Sequence, residues 1–252
     1  MHTSAFVISF LAFILDGVLV VRGWGSRLIK LFPLFYSYLV FAFCGSLAMY
    51  LIYWLDPRKY SSAYWIYYLI TILAEFMVLV EISDQIFRSF PAIRNLGRAL
   101  TILISASVGC IYILPPILHS RYRDIALLDF ALRASVTKII ILALLFYVAN
   151  QYRSHLGMNV GGLMLGFSIY VAINMAILGA AKAYGAALYA RVLWIMAPAA
   201  YTLCLVVWTV SLWKPAPVTS LQAVPGKAEG NSESLGLELT RFNNELSKFL
   251  RK

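Results

Sequence analysis

Charged residues are scarce in this sequence of 252 amino acids, at 13% of the chain, whereas 62% of its residues are hydrophobic. Soluble domains have about a quarter charged and about half apolar residues. The mean hydropathy is +0.79. This composition excludes an ordinary soluble domain and predicts a polytopic, all-α membrane protein.

Histidine and cysteine are also few, with three of each. The histidines (His2, His119 and His155) fall at predicted helix ends or in loops, so they cannot build an intramembrane zinc site or activate a nucleophile. All three cysteines lie inside apolar segments, where cysteine behaves as a small hydrophobe. The last apolar stretch has no lysine before Lys214, which excludes a retinal Schiff base there. We therefore expect no metal, no cofactor and no structural disulfide.

The net charge of +10 would indicate a nucleic-acid partner in a soluble chain. Here the Lys and Arg residues are scattered through short loops and form no single basic face. We therefore expect the membrane surface, and not nucleic acid, to be the counter-ion.

Seven apolar stretches are each about 20 residues or longer, which is enough to cross a bilayer. They lie near residues 1–21, 31–55, 60–82, 99–118, 124–149, 158–181 and 186–213. The first lacks a basic n-region and a small-residue cleavage site, so we expect it to be a helix and not a signal peptide. The sequence predicts a seven-transmembrane-helix bundle over residues 1–214.

The Lys and Arg residues of the short loops predict the orientation. One side holds eight: Arg22, Arg27, Lys30, Arg88, Arg94, Arg98, Arg153 and Lys214. The other holds six: Arg58, Lys59, Arg121, Arg123, Lys182 and Arg191. This bias places the N-terminus outside and the C-terminus in the cytoplasm. The absence of an Asn-x-Ser/Thr sequon is compatible with a bacterial inner membrane.

The tail has two parts. Residues 215–233 are rich in Pro, Gly and Ser, which predicts a flexible linker. Residues 234–252 carry Leu and Phe at helical spacings opposite a charged face, which predicts an amphipathic cytoplasmic helix. It could lie on the lipid interface, on the bundle or on a partner helix.

The third stretch has a polar stripe. Tyr64, Tyr68, Thr71 and Glu75 follow one another at spacings of four, three and four, so they share one helix face. Because an ionised carboxylate facing lipid costs several kcal/mol, we expect Glu75 to face protein or water. Glu75 is the leading functional candidate, and the alternative is a buried glutamate that serves packing alone.

Three ionisable residues share a depth. In the predicted orientation Asp16, Glu75 and Lys138 each lie roughly 20 Å below the outer surface. Buried charges in membranes are normally paired, which favours a cluster in which Lys138 bridges Asp16 or Glu75. The alternative is that Lys138 reaches the interface and Asp16 holds a proton.

A second polar group is predicted nearer the outside. Asp129 and Arg133 are four residues apart on one helix and can pair with each other. Asn174, Tyr170 and Arg191 come at a comparable depth and could complete a polar vestibule. Arg191 could equally be an ordinary interfacial arginine.

Residues 74–98 and 237–250, together with the seven stretches, resemble a family of bacterial seven-helix proteins. The shared features are Glu75 and Glu81 spaced as E-x-x-x-x-x-E, an aromatic-Pro loop, Leu-Gly-Arg and a closing Leu/aromatic-Asn helix. This resemblance implies a topology but no activity. In size and in Glu75 the chain is also similar to the small seven-helix terpene cyclases of fungal meroterpenoid pathways, which protonate an epoxide with intramembrane acids.

These observations favour a receptor-like or accessory membrane protein. It would bind a small apolar ligand, a lipid or a membrane-protein partner, including a second copy of itself. It would signal through the inner loop after Glu81 and through the C-terminal helix. One alternative is an intramembrane enzyme with general-acid chemistry at Glu75, helped by Asp16. Another is a structural subunit of a larger membrane complex.

Overall fold

A computed structural model describes residues 3–26, 28–87, 94, 98–99, 101–103, 123–151, 158–184, 186–213 and 241. These residues are helical apart from short turns, and they include no strand. Six of the helices are long and apolar enough to cross a membrane. The prediction of an all-helical chain is confirmed at this level. Most of the predicted span 99–118, the linker 215–233 and all of the closing helix except Arg241 lie outside the described residues.

The six long helices match six of the predicted stretches to within a few residues at each end. They are α1 (Thr3–Gly25), α3 (Pro33–Leu55), α4 (Pro57–Ile86), α5 (Arg123–Gln151), α6 (Met158–Tyr184) and α7 (Ala186–Leu212), and a short helix α2 (Leu28–Leu31) joins α1 to α3. Pro33 and Pro57 each occupy the first helical position, where the missing N–H has no intrahelical partner to lose. Asp56 caps α4 by accepting a hydrogen bond from the Arg58 N–H at 3.3 Å.

The long helices form a closed ring in the order α1, α3, α4, α5, α6, α7 and back to α1. Contacts between neighbouring helices show their relative directions. α1 and α7 run parallel, because Tyr201 meets Asp16 and Trp213 meets Arg22. α3 and α4 are antiparallel, because the start of α3 meets Glu81 near the end of α4. The ring therefore has an Arg22 end, where α1 finishes, and an Asp56 end, where α3 turns into α4.

Aromatic side chains pack around Trp208 inside the ring. Trp208 of α7 is completely buried, and its ring lies edge-on to Phe35 at 4.9 Å and stacks on Phe167 at 6.2 Å. Its Nε1–H donates to the Leu163 carbonyl at 3.3 Å. The outward faces carry large apolar side chains, among them Ile140, Leu144 and Val210. Apolar side chains on the outside, with polar ones inside, are consistent with a multi-pass membrane protein.

Two glycines let α6 and α7 approach closely. Gly162 and Gly166 are four residues apart, and a methyl group on Gly166 would lie 2.6 Å from Trp208 Nε1. One on Gly162 would lie 2.0 Å from Ser211 Oγ. Small residues at this spacing allow membrane helices to pack backbone against backbone. α7 can therefore place Trp208 and Tyr201 inside the ring.

Glu81 holds the junction between α2 and α3. Its buried carboxylate accepts hydrogen bonds from the N–H groups of Leu34 at 2.9 Å and Phe35 at 2.7 Å, so it caps α3 from another helix. Four residues later, Gln85 donates to the Leu31 carbonyl at 2.9 Å. The last turns of α4 thus satisfy the open backbone groups on both sides of the junction.

Replacing Glu81 by alanine is expected to lower the free energy of unfolding by about 1–3 kcal/mol for each N–H group left buried without an acceptor. Glu81→Gln, which keeps one carbonyl oxygen, should have an intermediate effect. Thermal unfolding of the purified protein measures the difference. The matched control is Asp84→Ala one turn away, since its 3.6 Å ion pair with Arg94 is half-exposed and should contribute little. Equal melting temperatures for the Glu81 and Asp84 variants would contradict the capping role.

Candidate functional site

Glu75 and Lys138 form a buried ion pair between α4 and α5. Each residue exposes only 3% of its surface. The Lys138 ammonium also lies 5.9 Å from the centre of the Phe76 ring. Lys138 therefore makes one of the two pairings that its depth in the sequence predicts. Removing either partner would leave the other charged and buried, which is costly.

The polar stripe on α4 shares one face, as its spacing predicts. The rings of Tyr64 and Tyr68 stack at 5.9 Å with an angle of 6° between their planes. Thr71 and Glu75 continue the stripe and are buried, whereas Leu73 is 43% exposed. The Thr71 hydroxyl donates to the Tyr67 carbonyl of its own helix at 2.8 Å. Tyr64 and Tyr68 lie at the partly exposed end of the stripe, and Glu75 lies at its buried end.

Cysteine scanning of α4 should separate these faces. In a background without native cysteines, Leu73→Cys is expected to react readily with an alkylating reagent dissolved in the lipid phase. Thr71→Cys should react at least tenfold more slowly, because its side chain faces protein. Equal rates at the two positions would place the stripe on the outer surface and remove Glu75 from the interior.

Asp16 occupies the opposite side of the ring interior, on α1. It is 2% exposed, and its Oδ2 accepts a hydrogen bond from the Tyr201 hydroxyl of α7 at 3.2 Å. Its Oδ1 is buried and has no hydrogen-bond partner among the residues that the structure describes. Lys138 thus pairs with Glu75, whereas Asp16 is held by the hydroxyl group of Tyr201.

Tyrosines from four helices connect these groups. The rings of Tyr170 on α6 and Tyr201 on α7 meet edge to face at 5.9 Å. Tyr38 on α3 lies within electrostatic reach of Glu75, Tyr170 and Tyr201. Tyr67 on α4 lies within reach of both Asp16 and Glu75. We call Tyr38, Tyr67, Tyr170 and Tyr201 the tyrosine cluster.

The predicted outer group is divided between two places. Asp129 pairs with Lys182 of α6 at 2.6 Å, near the Asp56 end, with both side chains partly exposed. The sequence predicts a pairing of Asp129 with Arg133 on the same helix. Because α5 and α6 pack antiparallel, Lys182 of α6 lies beside Asp129. Lys182 is not among the residues predicted from the sequence. Arg133 is exposed on α5.

The other members of the predicted vestibule are Tyr170, Asn174 and Arg191. Asn174 lies beside Tyr170, within hydrogen-bonding reach of its hydroxyl, so it belongs with the tyrosine cluster. The side chain of Arg191 is outside the described residues. Asp129 and Asn174 therefore serve different environments.

Several residues of the interior are not predicted from the sequence. Tyr38, Tyr67 and Tyr201 are not among the residues predicted from the sequence, although each lies at least seven residues from either end of its apolar stretch, whereas interfacial tyrosines lie at the ends. Glu81 is noted in the sequence only as the second glutamate of the E-x-x-x-x-x-E spacing. The signal for its capping role is Phe32-Pro33, a helix start that has no polar capping residue of its own.

No three His, Cys, Asp or Glu side chains come together as a metal site within the described part of the chain. Comparisons with protein-family models, curated proteins and solved structures find no match. The interior can accept and donate hydrogen bonds, present aromatic faces and hold a charge.

Proposed function

We propose that the protein is a receptor-like membrane protein that binds a small, largely apolar ligand inside the helix ring. The observation that carries this proposal is the tyrosine cluster, which gathers hydroxyl groups and ring faces from four helices around Asp16 and the Glu75–Lys138 pair. Ligand pockets typically combine apolar and aromatic walls with a few polar groups that fix orientation.

We further propose seven spans in a bacterial inner membrane, with the N-terminus outside and the C-terminus in the cytoplasm. α4 finishes at the Arg22 end of the ring and α5 starts at the Asp56 end. The connection between them, residues 88–122, has to join opposite ends, and it contains the apolar stretch 99–118. The excess of Lys and Arg on the Arg22 side supports the orientation.

The same two helices that hold Asp16 also lead to the tail. α1 and α7 meet at the Asp16–Tyr201 hydrogen bond and again at their ends, where Arg22 donates to the Trp213 carbonyl at 2.7 Å. The Arg22 guanidinium also lies 5.3 Å from the centre of the Trp213 ring. A ligand that shifts α1 against α7 would act on the residue before Lys214, where the tail starts. This supports signalling through the C-terminal segment.

The general-acid alternative has less support. The structure shows the Glu75 carboxyl group engaged in a buried ion pair with Lys138, where it is not presented to a substrate. No observation in the described residues favours the structural-subunit alternative over binding.

Photolabelling with a small apolar diazirine tests the binding proposal. Adducts on Tyr170 and Tyr201 should saturate as the probe concentration rises, because a binding site has a fixed capacity. Adducts on Tyr147, which is 66% exposed on the outer face of α5, should rise linearly as the probe fills the bilayer. Interior adducts that are absent, or that rise in parallel with those on Tyr147, would contradict the proposal.

A further inference from the structure

The buried charges of the described interior do not balance. Asp16, Glu75 and Glu81 are buried acids, and Lys138 is the one buried base among the described residues. Lys138 pairs with Glu75, and Glu81 is stabilised by two N–H groups at the start of α3, where the helix dipole favours negative charge. Among the described residues, Asp16 is left with a single hydrogen bond, from the Tyr201 hydroxyl.

Inside a membrane protein, a carboxyl group in this position is stabilised either by a proton or by a positive partner. An uncompensated charge inside a membrane protein is expensive, and such groups are normally paired. Asp16 Oδ1 has no partner in the described part of the chain. The predicted span 99–118 contains no Asp, Glu, Lys, Arg or His, so its sequence supplies no counter-charge either.

The surroundings of Asp16 suit an organic cation. Tyr201, which holds Asp16, lies edge to face with Tyr170, and Tyr38 and Tyr67 lie close by. Tyrosine ring faces attract ammonium groups, most strongly where water is excluded. We propose that the ligand is a small amphipathic monocation, a protonated amine or a quaternary ammonium, whose charge pairs with Asp16 and whose apolar part lies among the tyrosine cluster.

A bare metal ion fits the site less well. Hard cations take six or more oxygen ligands in proteins. Asp16 and the Tyr201 hydroxyl are the oxygen groups in contact there, and no cluster of three acidic, Cys or His side chains occurs in the described residues. The aromatic surroundings favour a cation that carries its own apolar surface. This inference rests on the proposed function, because it names the chemical class of that ligand.

The test uses four probes with the same six-carbon chain: hexylamine, hexyltrimethylammonium, hexanol and hexanoate. Each is added to the full-length protein in lipid nanodiscs, and the shift in melting temperature is measured. A ligand that binds only the folded state raises the melting temperature. At least one of the two cations should raise it by several degrees, whereas hexanol and hexanoate should not. The shift should disappear in Asp16→Asn and persist in Asp56→Asn, which removes a carboxylate at the Asp56 end of the ring.

The other outcomes are distinguishable. If hexanol stabilises as much as the amines and Asp16→Asn has no effect, the interior binds an apolar ligand, but the inference that this ligand is a cation is wrong. If sodium ions alone stabilise the wild type through Asp16, the inference that the cation is organic is wrong. If no probe shifts the melting temperature and interior photolabelling does not saturate, the proposed function itself fails.

Discussion

Replacing Lys138 by methionine is expected to cost about 3–5 kcal/mol of folding free energy, the usual penalty for leaving a buried charge without its partner. The carboxylate of Glu75 would remain in an interior where both partners are almost fully buried. Methionine keeps most of the apolar length of lysine, so the loss of stability reports the missing charge and not a cavity. Thermal unfolding in nanodiscs should show a fall of about 6–20 °C, since each kcal/mol shifts a chain of this size by about 2–4 °C.

The control for this prediction is the double variant Glu75→Gln/Lys138→Met. It removes both charges, and uncharged replacements of a buried pair are often nearly neutral. The double variant should therefore melt well above Lys138→Met and close to the wild type. A double variant less stable than Lys138→Met would show that the cost comes from packing around Phe76 and not from the unpaired carboxylate.

Replacing Gly166 by alanine is the second change with a large expected effect. The added methyl group would lie 2.6 Å from Trp208 Nε1 and 2.8 Å from Cδ1. Trp208 cannot move away easily, because it is completely buried between Phe35 and Phe167. Overpacking of this kind typically costs about 1–3 kcal/mol. Because α7 carries both Trp208 and Tyr201, the substitution should also weaken the proposed ligand binding.

Gly179 on the same helix is the matched control. A methyl group there meets nothing within 4 Å, so Gly179→Ala should leave the melting temperature unchanged or raise it slightly through better helix propensity. The difference between the two variants isolates the α6–α7 contact. Equal melting temperatures would mean that α7 does not approach α6 as closely as the structure shows.

Much of the fold follows from the sequence because apolar length is a strong signal in a membrane protein. Six predicted stretches match helices, and the turn at Asp56-Pro57 carries a recognisable cap. Depth in the sequence predicts that Lys138 pairs with Asp16 or Glu75, and the structure shows the pair with Glu75. Depth along a helix can be counted in residues, so a pairing between groups at one level is predictable even when the order of the helices is not.

The neighbours within the ring could not be predicted. Residue spacing shows which side chains share a face of one helix, but it does not say which helix lies opposite. For that reason the sequence predicts a pair of Asp129 with Arg133 on its own helix and does not connect Asp129 with Lys182 or Tyr201 with Asp16. The same limit applies to Glu81, whose partners are backbone groups 46 and 47 residues away. The Gly162-x-x-x-Gly166 spacing was a readable signal of close helix packing.

We propose that the interior of the ring holds a small molecule. Native mass spectrometry of the protein released directly from membranes is the most direct test of this proposal. Wild-type protein and Tyr147→Trp, which adds bulk on the outer face, should each carry one small molecule per chain beyond loosely bound lipid. Tyr170→Trp adds the same bulk beside Tyr201 and should carry none. Identical spectra for all three proteins would contradict the claim.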